Sequence, residues 1–198
     1  MNETIGARAI ARDAVTTRIA SAALDLFAER GFAAVTMDDV ARAAGVSVRS
    51  VHRYFPSKED LVIGDPAPTA LLVEQAFAAS DPARPVWAAL REAFEPLVQQ
   101  ATSNHVNGRR VLGIIATTDT LRARNLEKHI VWAERLTPLV AARLQSSPRP
   151  RRGSALQAQA IVHMAIACFD VALNAWSRDK GADVGVLLDD AFDSSTRL

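Results

Sequence analysis

Residues 36–58 read TMDDVARAAGVSVRSVHRYFPSK, and their caps, breaks and apolar spacing decide the fold. Thr36 offers a hydroxyl to free amides and Asp39 follows three residues later, the pattern of a capping box, so a short helix is expected to about Ala44. Gly45-Val46-Ser47 makes a tight break. Ser47 then caps a second short helix carrying Val48, Val51 and Phe55, which Pro56 stops. Ala41, Gly45 and Val51 meet three needs of a helix-turn-helix: a small residue where helices cross, a turn residue tolerant of positive φ, and an apolar anchor under the second helix.

Charge marks the second helix. Residues 42–58 carry Arg42, Arg49, Arg53 and Lys58 with no acid, although the first 61 residues balance eight basic against eight acidic side chains. A helix in the major groove reads base edges near its N-terminus while flanking hydroxyls, amides and cations hold phosphates. Arg49 and Ser50 occupy the base-reading positions, with His52 and Arg53 on an adjoining face. Tyr54 offers a hydroxyl to a phosphate, and Lys58 lies where a helix N-terminus favours an anion. Arg8 and Arg12 are candidates for a phosphate-contacting or minor-groove arm. The competing reading is a solvated charged face.

Upstream, Val15, Ile19, Ala22, Ala23, Leu26 and Phe27 form one helical stripe ending at Gly31. The whole stretch IASAALDLFAERGFAAVTMDDVARAAGVSVRSVHRYFPSKEDL, Ile19 to Leu61, closely resembles the DNA-binding domain of TetR/AcrR-family transcriptional regulators. That resemblance implies a three-helix DNA-binding domain, with Thr36, Val48, Arg49, Ser50, His52, Arg53, Tyr54 and Lys58 at DNA-contact positions. His52 departs from the family's usual tyrosine and Val51 from its common leucine. The break Gly64-Asp65-Pro66-Ala67-Pro68 departs from the unbroken fourth helix of many members.

Composition agrees with a helical protein. The 198 residues are 49% hydrophobic and 23% charged, with 23 basic against 22 acidic side chains, which excludes a disordered tail and a polybasic wrapping protein. Ala supplies 37 residues while Gly and Pro together supply 18, and no alternating strand pattern occurs. The lone Cys168 forms neither an internal disulfide nor a zinc framework, so no metal and no cofactor are expected. The N-terminus is polar, and the uncharged run Gly153 to Phe169 falls short of the roughly 18 residues a membrane span needs. The expectation is an all-α cytoplasmic protein without membrane contact: residues 1–62 a helix-turn-helix domain, residues 63–198 a larger effector-binding and dimerisation domain.

In that body, helices are expected over about 85–103, 107–117, 120–145, 154–180 and 183–194, with SSPRPRRG, Ser146 to Gly153, an exposed loop. Val162, Ile166, Phe169, Leu173 and Trp176 make one stripe of the penultimate helix. Ala158, Ile161, Ala165, Cys168, Ala172 and Ala175 make a smaller-residue stripe suited to close approach of a second chain, with Leu188 and Phe192 from the last helix completing a homodimer bundle. The alternative is that one chain consumes both stripes. Pro96 and Pro138 should bend their helices and open space that Trp87, Phe94, Leu97, Leu112, Ile115, Trp132, Leu136 and Phe169 would line, unless these residues are plain core. His163 and Asn174 are candidates to orient a ligand's polar group, and Arg109, Arg110, Arg122 and Arg124 to meet a phosphate-bearing one.

The stretch Arg122 to Gln145 and the tail AWSRDKGADVGVLLDDAF are similar to a TetR subgroup associated with acyl-CoA-like ligands. These resemblances together imply a homodimeric repressor that binds a palindromic DNA operator and is released by a small effector. A constitutive DNA-binding regulator is the alternative. An enzyme is not expected: Cys168 lies five residues after His163, about 140° around a helix, so the pair diverges and leaves Asp170 no triad to complete.

Overall fold

The structure, a computed structural model, describes residues 3–146 and 154–196, with side chains over 12–146 and 155–195. Of the expected loop 146–153 only Ser146, which is exposed, is described; the rest of it and the side chain of Arg8 lie outside the described residues, and Arg12 is exposed. Every regular element among the described residues is a helix. The chain divides into two compact units: residues 1–64 with 114–122, and residues 65–113 with 123–198. The division after Gly64 lies two residues beyond the sequence expectation, and the return of 114–122 to the first unit has no local sequence signal.

The first unit is built on α1 (Glu3–Arg30), α2 (Met37–Ala44), α3 (Val48–Tyr54) and α4 (Asp60–Ile63). Ile19, Ala23, Leu26 and Phe27 of α1 are buried in this unit, as are Val40 of α2, Val51 of α3 and Leu61 of α4. Gly31, at φ 82°, turns the chain out of α1 while its N–H bonds the Phe27 carbonyl at 2.9 Å.

The second unit contains α5 (Pro66–Ala79), α6 (Val86–Ala93), α7 (Glu95–Thr102), α10 (Ser154–Arg178) and α11 (Val184–Thr196). Helices α8 (His105–Thr117) and α9 (Asp119–Gln145) run across the division. The prolines of the 64–68 break also start α5: Asp65 caps the Ala67 amide at 2.9 Å, and Pro66 takes the first position, where a missing N–H costs no helical bond. Pro96 divides the expected helix over 85–103 at Phe94, whose N–H turns back to the carbonyls of Arg91 and Glu92. Pro138 sits inside a continuous α9.

At the centre of this unit Phe94 is fully buried, stacked on Phe169 with ring centres 4.7 Å apart, and 6.1 Å from the ring of Trp132. Helix α10 is long and apolar enough by length and composition to cross a membrane, a property missed by counting only its uncharged run; here Val162, Ile166, Phe169 and Trp176 are buried inside the unit.

Gly108 marks a close helix crossing. A Cβ there would overlap the carbonyl oxygen of Ala101 and stand 3.3 Å from Trp176 Cη2. Gly108→Ala is therefore expected to destabilise the body by about 1–3 kcal/mol, the usual cost of overpacking, lowering Tm by several degrees in a thermal melt. An unchanged Tm would contradict this packing.

Candidate nucleic-acid interface

Three backbone devices hold α3. Thr36 and Asp39 cap each other: the Thr36 amide and hydroxyl donate to Asp39 Oδ2 at 3.0 and 2.6 Å, and the Asp39 amide donates to Thr36 Oγ1 at 3.2 Å. These bonds, the hydroxyl's first, hold the Asp39 carboxyl below its ordinary 3.8. Gly45 adopts φ 63°, ψ 38°, so that its N–H reaches the Arg42 carbonyl at 3.2 Å and the next amide reaches Ala41 at 3.0 Å. Ser47 then accepts from the Ser50 amide at 3.1 Å and caps α3.

The register of α3 sorts its side chains. Val51 is fully buried and Phe55 nearly so, four residues apart on the inner face. Arg49, His52 and Arg53 are exposed, and Val48, Ser50 and Tyr54 are half-buried beside them. Arg49 has no partner among the described residues. Arg53 lies over the Tyr54 ring at 4.7 Å and donates to its hydroxyl at 2.9 Å. Ser50 shares its hydroxyl with Ser47 at 2.9 Å. The arrangement offers an outward face of two guanidinium groups and an imidazole on a capped, anchored rod. Such a face suits base edges and phosphates.

Two predicted contact residues have internal occupations. The Thr36 hydroxyl is committed to the capping box. Lys58 does not wait at a helix N-terminus for an anion: its ammonium donates to the carbonyls of Phe32 at 2.8 Å and Val35 at 3.0 Å and lies 4.4 Å from the Phe32 ring centre. Those carbonyls belong to the linker between α1 and α2, which no helical amide satisfies, so two of the three ammonium donors are taken up within the chain.

Most of the expected ligand-lining residues fall together in one apolar core. Phe94, Leu97, Trp132, Leu136 and Phe169 are packed core, and Trp87 packs on Phe192 at 4.6 Å between ring centres while its indole N–H bonds the Phe192 carbonyl at 3.1 Å. Leu112 is half-buried against the same core. Ile115 belongs to the first unit and the others to the second. His163 is exposed on α10, so it cannot orient a group within that aromatic cluster. Arg109 stacks on Trp176 at 4.2 Å and bonds the carbonyls of Trp176 and Asp179, capping the end of α10. Arg122 is held by Ala116 and Asp119, Arg124 by Glu127, and Arg110 is partnered within the chain.

The stripe of α10 expected at a dimer interface lies largely inside the chain. Ala158, Ala165, Ala172, Leu188 and Phe192 are buried inside the chain, because small side chains let α10 approach its own neighbours closely. Ile161 and Cys168 are half-buried against that core, and Ala175 is half-buried. The large apolar residues left exposed on α10 are Leu156 at 75%, Met164 at 46% and Val171 at 61%. Beside them, Ala167, Cys168, Val171, Ala175, Leu187 and Ala191, with Asp190 and Ser194, line an open groove of about 420 Å³ between α10 and α11.

Of a polar cluster between α9 and α10, where Asn125, Lys128 and His129 meet Asp170 and Asn174, sequence reasoning singled out Asn174 alone as a ligand-orienting residue. The spacing 125, 128, 129, 132 on one helix and 170, 174 on the other was the available signal.

Residues 19–63 match the family described as bacterial regulatory proteins, tetR family, and residues 84–197 match the MftR C-terminal domain. The chain is 26% identical over 182 residues to the putative mycofactocin biosynthesis transcriptional regulator MftR of Mycobacterium tuberculosis, spanning 92% of this chain and 89% of that one. It is 44% identical over 61 residues to the HTH-type transcriptional regulator RutR of Escherichia coli K12, spanning 31% and 29% of the two chains. In fold it is similar to NalD, the secondary repressor of the MexAB-OprM efflux pump in Pseudomonas aeruginosa (TM-score 0.61, 22% identity, 93% and 96% coverage). It is also similar to FadR of Bacillus subtilis, solved with stearoyl-CoA (TM-score 0.62, 20% identity, 89% and 95% coverage). With one match on the helix-turn-helix and the other over more than half of its length, the chain belongs to the tetR family of bacterial transcriptional regulators and carries a C-terminal domain of the MftR type.

Proposed function

We propose that this protein is a cytoplasmic homodimeric repressor that binds a palindromic operator through α3 and is released by a small hydrophobic, acyl-CoA-like effector. The DNA reading rests on the outward face of α3, where Arg49, His52 and Arg53 are exposed while Val51 and Phe55 anchor the helix. Arg49 and Ser50 take base edges; Val48, His52, Arg53 and Tyr54 flank them. Thr36 and Lys58 contribute mainly by fixing the backbone, with a phosphate contact left to the spare valence of each. Residues 1–62 form the DNA-binding domain and residues 63–198 the effector and dimerisation domain.

The exposed residues Leu156, Met164 and Val171 with the mostly apolar α10–α11 groove are taken as the dimer interface, since exposed apolar side chains on two helices are covered by a symmetric copy at low cost. FadR proteins of similar fold bind stearoyl-CoA and lauroyl-CoA, and this supports the acyl class of effector. Release needs only that the effector prefer a body conformation in which the two recognition helices no longer match grooves about 34 Å apart. The close packing of Phe94, Trp132 and Phe169 favours a second reading, a regulator without small-molecule control. Gel shifts on the selected operator with lauroyl-CoA and stearoyl-CoA separate the two: release supports the effector reading, and unchanged shifts across the series support the second.

Specific binding should weaken steeply with salt, because each neutralised phosphate releases counterions. Arg53→Ala is expected to reduce the slope of log affinity against log salt by about one for each phosphate that the variant leaves unneutralised. A salt-independent affinity measured by fluorescence anisotropy would contradict a phosphate-bound α3.

A further inference from the structure

The outer face of α10 has the same pattern read in either direction. Leu156, Ala160, His163, Met164, Ala167 and Val171 are exposed on it. At about 100° per residue these six fall within an arc of roughly 100°. They also pair about one point: Leu156 and Val171, Ala160 and Ala167, and His163 and Met164 lie equally far on either side of the midpoint between 163 and 164. Ala155 and Gln159, also exposed, lie on the flank away from the α11 groove. No charged side chain stands on the face, and Asp170 at its border is turned to Asn125 of α9. A copy of the helix laid antiparallel about that midpoint therefore sets large side chains against large and small against small, with no like charges opposed.

Positions 156, 160, 163, 167 and 171 recur every three or four residues, the repeat that keeps two helices in contact at a crossing of about 20°, here over about 22 Å. A strip of that length and one helix wide projects roughly 220 Å², against the ~800 Å² that each chain of a specific dimer buries. The contact must therefore extend onto α11. The groove between α10 and α11 opens beside Val171, where this register delivers the partner's Leu156, the most exposed large apolar side chain of the helix at 75%. The same register brings the first turn of the partner's α10, with its free amides and positive end of the helix dipole, up to Asp190 on the groove wall. The Asp190 carboxylate has no partner among the described residues.

We propose that α10 packs antiparallel on α10 of a second copy about a two-fold axis between residues 163 and 164, with the partner's Leu156 seated in the α10–α11 groove beside Val171. The inference rests on the dimer reading above and deepens it by fixing the register. Ala160 then faces the partner's Ala167 on either side of the axis, and these small side chains let the two backbones approach closely. His163 and Met164 stand at the axis, each beside its own copy. Asp190 meets the positive end of the partner's helix, so charge and shape select the same antiparallel pairing.

The test uses the full chain carrying Cys168→Ser, with single cysteines added and oxidised mildly. His163→Cys should give a covalent dimer. Leu156→Cys and Val171→Cys should not when alone, since each would lie about 22 Å from its own copy and a disulfide spans under about 7 Å between Cα atoms, yet an equimolar mixture of the two should cross-link. Ala160→Glu, at an exposed position, should leave the circular dichroism spectrum unchanged and weaken dimerisation by roughly tenfold or more in sedimentation; adding Ala167→Lys to the same chain should restore most of it, because the two new charges meet only across the axis. Self-linkage of Leu156→Cys, or no linkage of His163→Cys in a protein that sediments as a dimer, overturns the register and leaves the dimer reading standing. A chain that stays monomeric at every concentration, whether free or floated with phosphatidylcholine vesicles, overturns both.

Discussion

Arg49→Ala is expected to weaken operator binding by roughly fivefold to more than a hundredfold, equivalent to about 1–3 kcal/mol for one base-reading side chain, and to relax the sequence preference at that base. The guanidinium is exposed and free of partners among the described residues, so its removal leaves the packing of α3 on Val51 and Phe55 untouched. Thermal unfolding of the variant should therefore superimpose on that of the wild type. Anisotropy titrations on the cognate site and on a scrambled duplex check both halves of the expectation. Equal affinity of variant and wild type for the cognate site would remove Arg49 from the interface.

The second large effect lies in the body. Phe94 closes α6 and opens α7, is fully buried, and touches the rings of Phe169, Trp132 and Phe192 at 4.7, 6.1 and 6.5 Å. Phe94→Ala should destabilise the second unit by about 3–5 kcal/mol, the transfer term plus the cavity left by the ring. Against a typical stability of about 5–15 kcal/mol this is a large fraction, visible as a much lower midpoint in urea. A change below about 1 kcal/mol would mean that the ring faces open space as pocket lining and is not core.

The helix-turn-helix is legible because its determinants are local. A capping pair three residues apart, one glycine in the left-handed region and two apolar anchors four apart specify α2 and α3 with no information from the rest of the chain. The role of Lys58 is hidden for the complementary reason: the Phe32 and Val35 carbonyls that capture it lie 26 and 23 residues away, and linker carbonyls carry no signal in the sequence. On α10 periodicity locates the stripes correctly but not their partners. Alanines at 158, 165 and 172 permit close approach equally well to a second chain or to the same one, and only the tertiary structure shows that the chain uses them itself. Pro66, Pro96 and Pro138 show the same limit, since one residue type starts a helix, divides one and rides inside one according to which carbonyl it leaves unpaired.

A symmetric dimer that presents α3 twice to one face of a duplex must leave its two-fold axis in the DNA it chooses. Selection of bound sequences from random DNA by the full-length protein should therefore return an inverted repeat whose half-sites are centred about 10–10.5 base pairs, or a multiple of that, apart. Enrichment of a single asymmetric site, or of no sequence at all, would rule out paired presentation of α3.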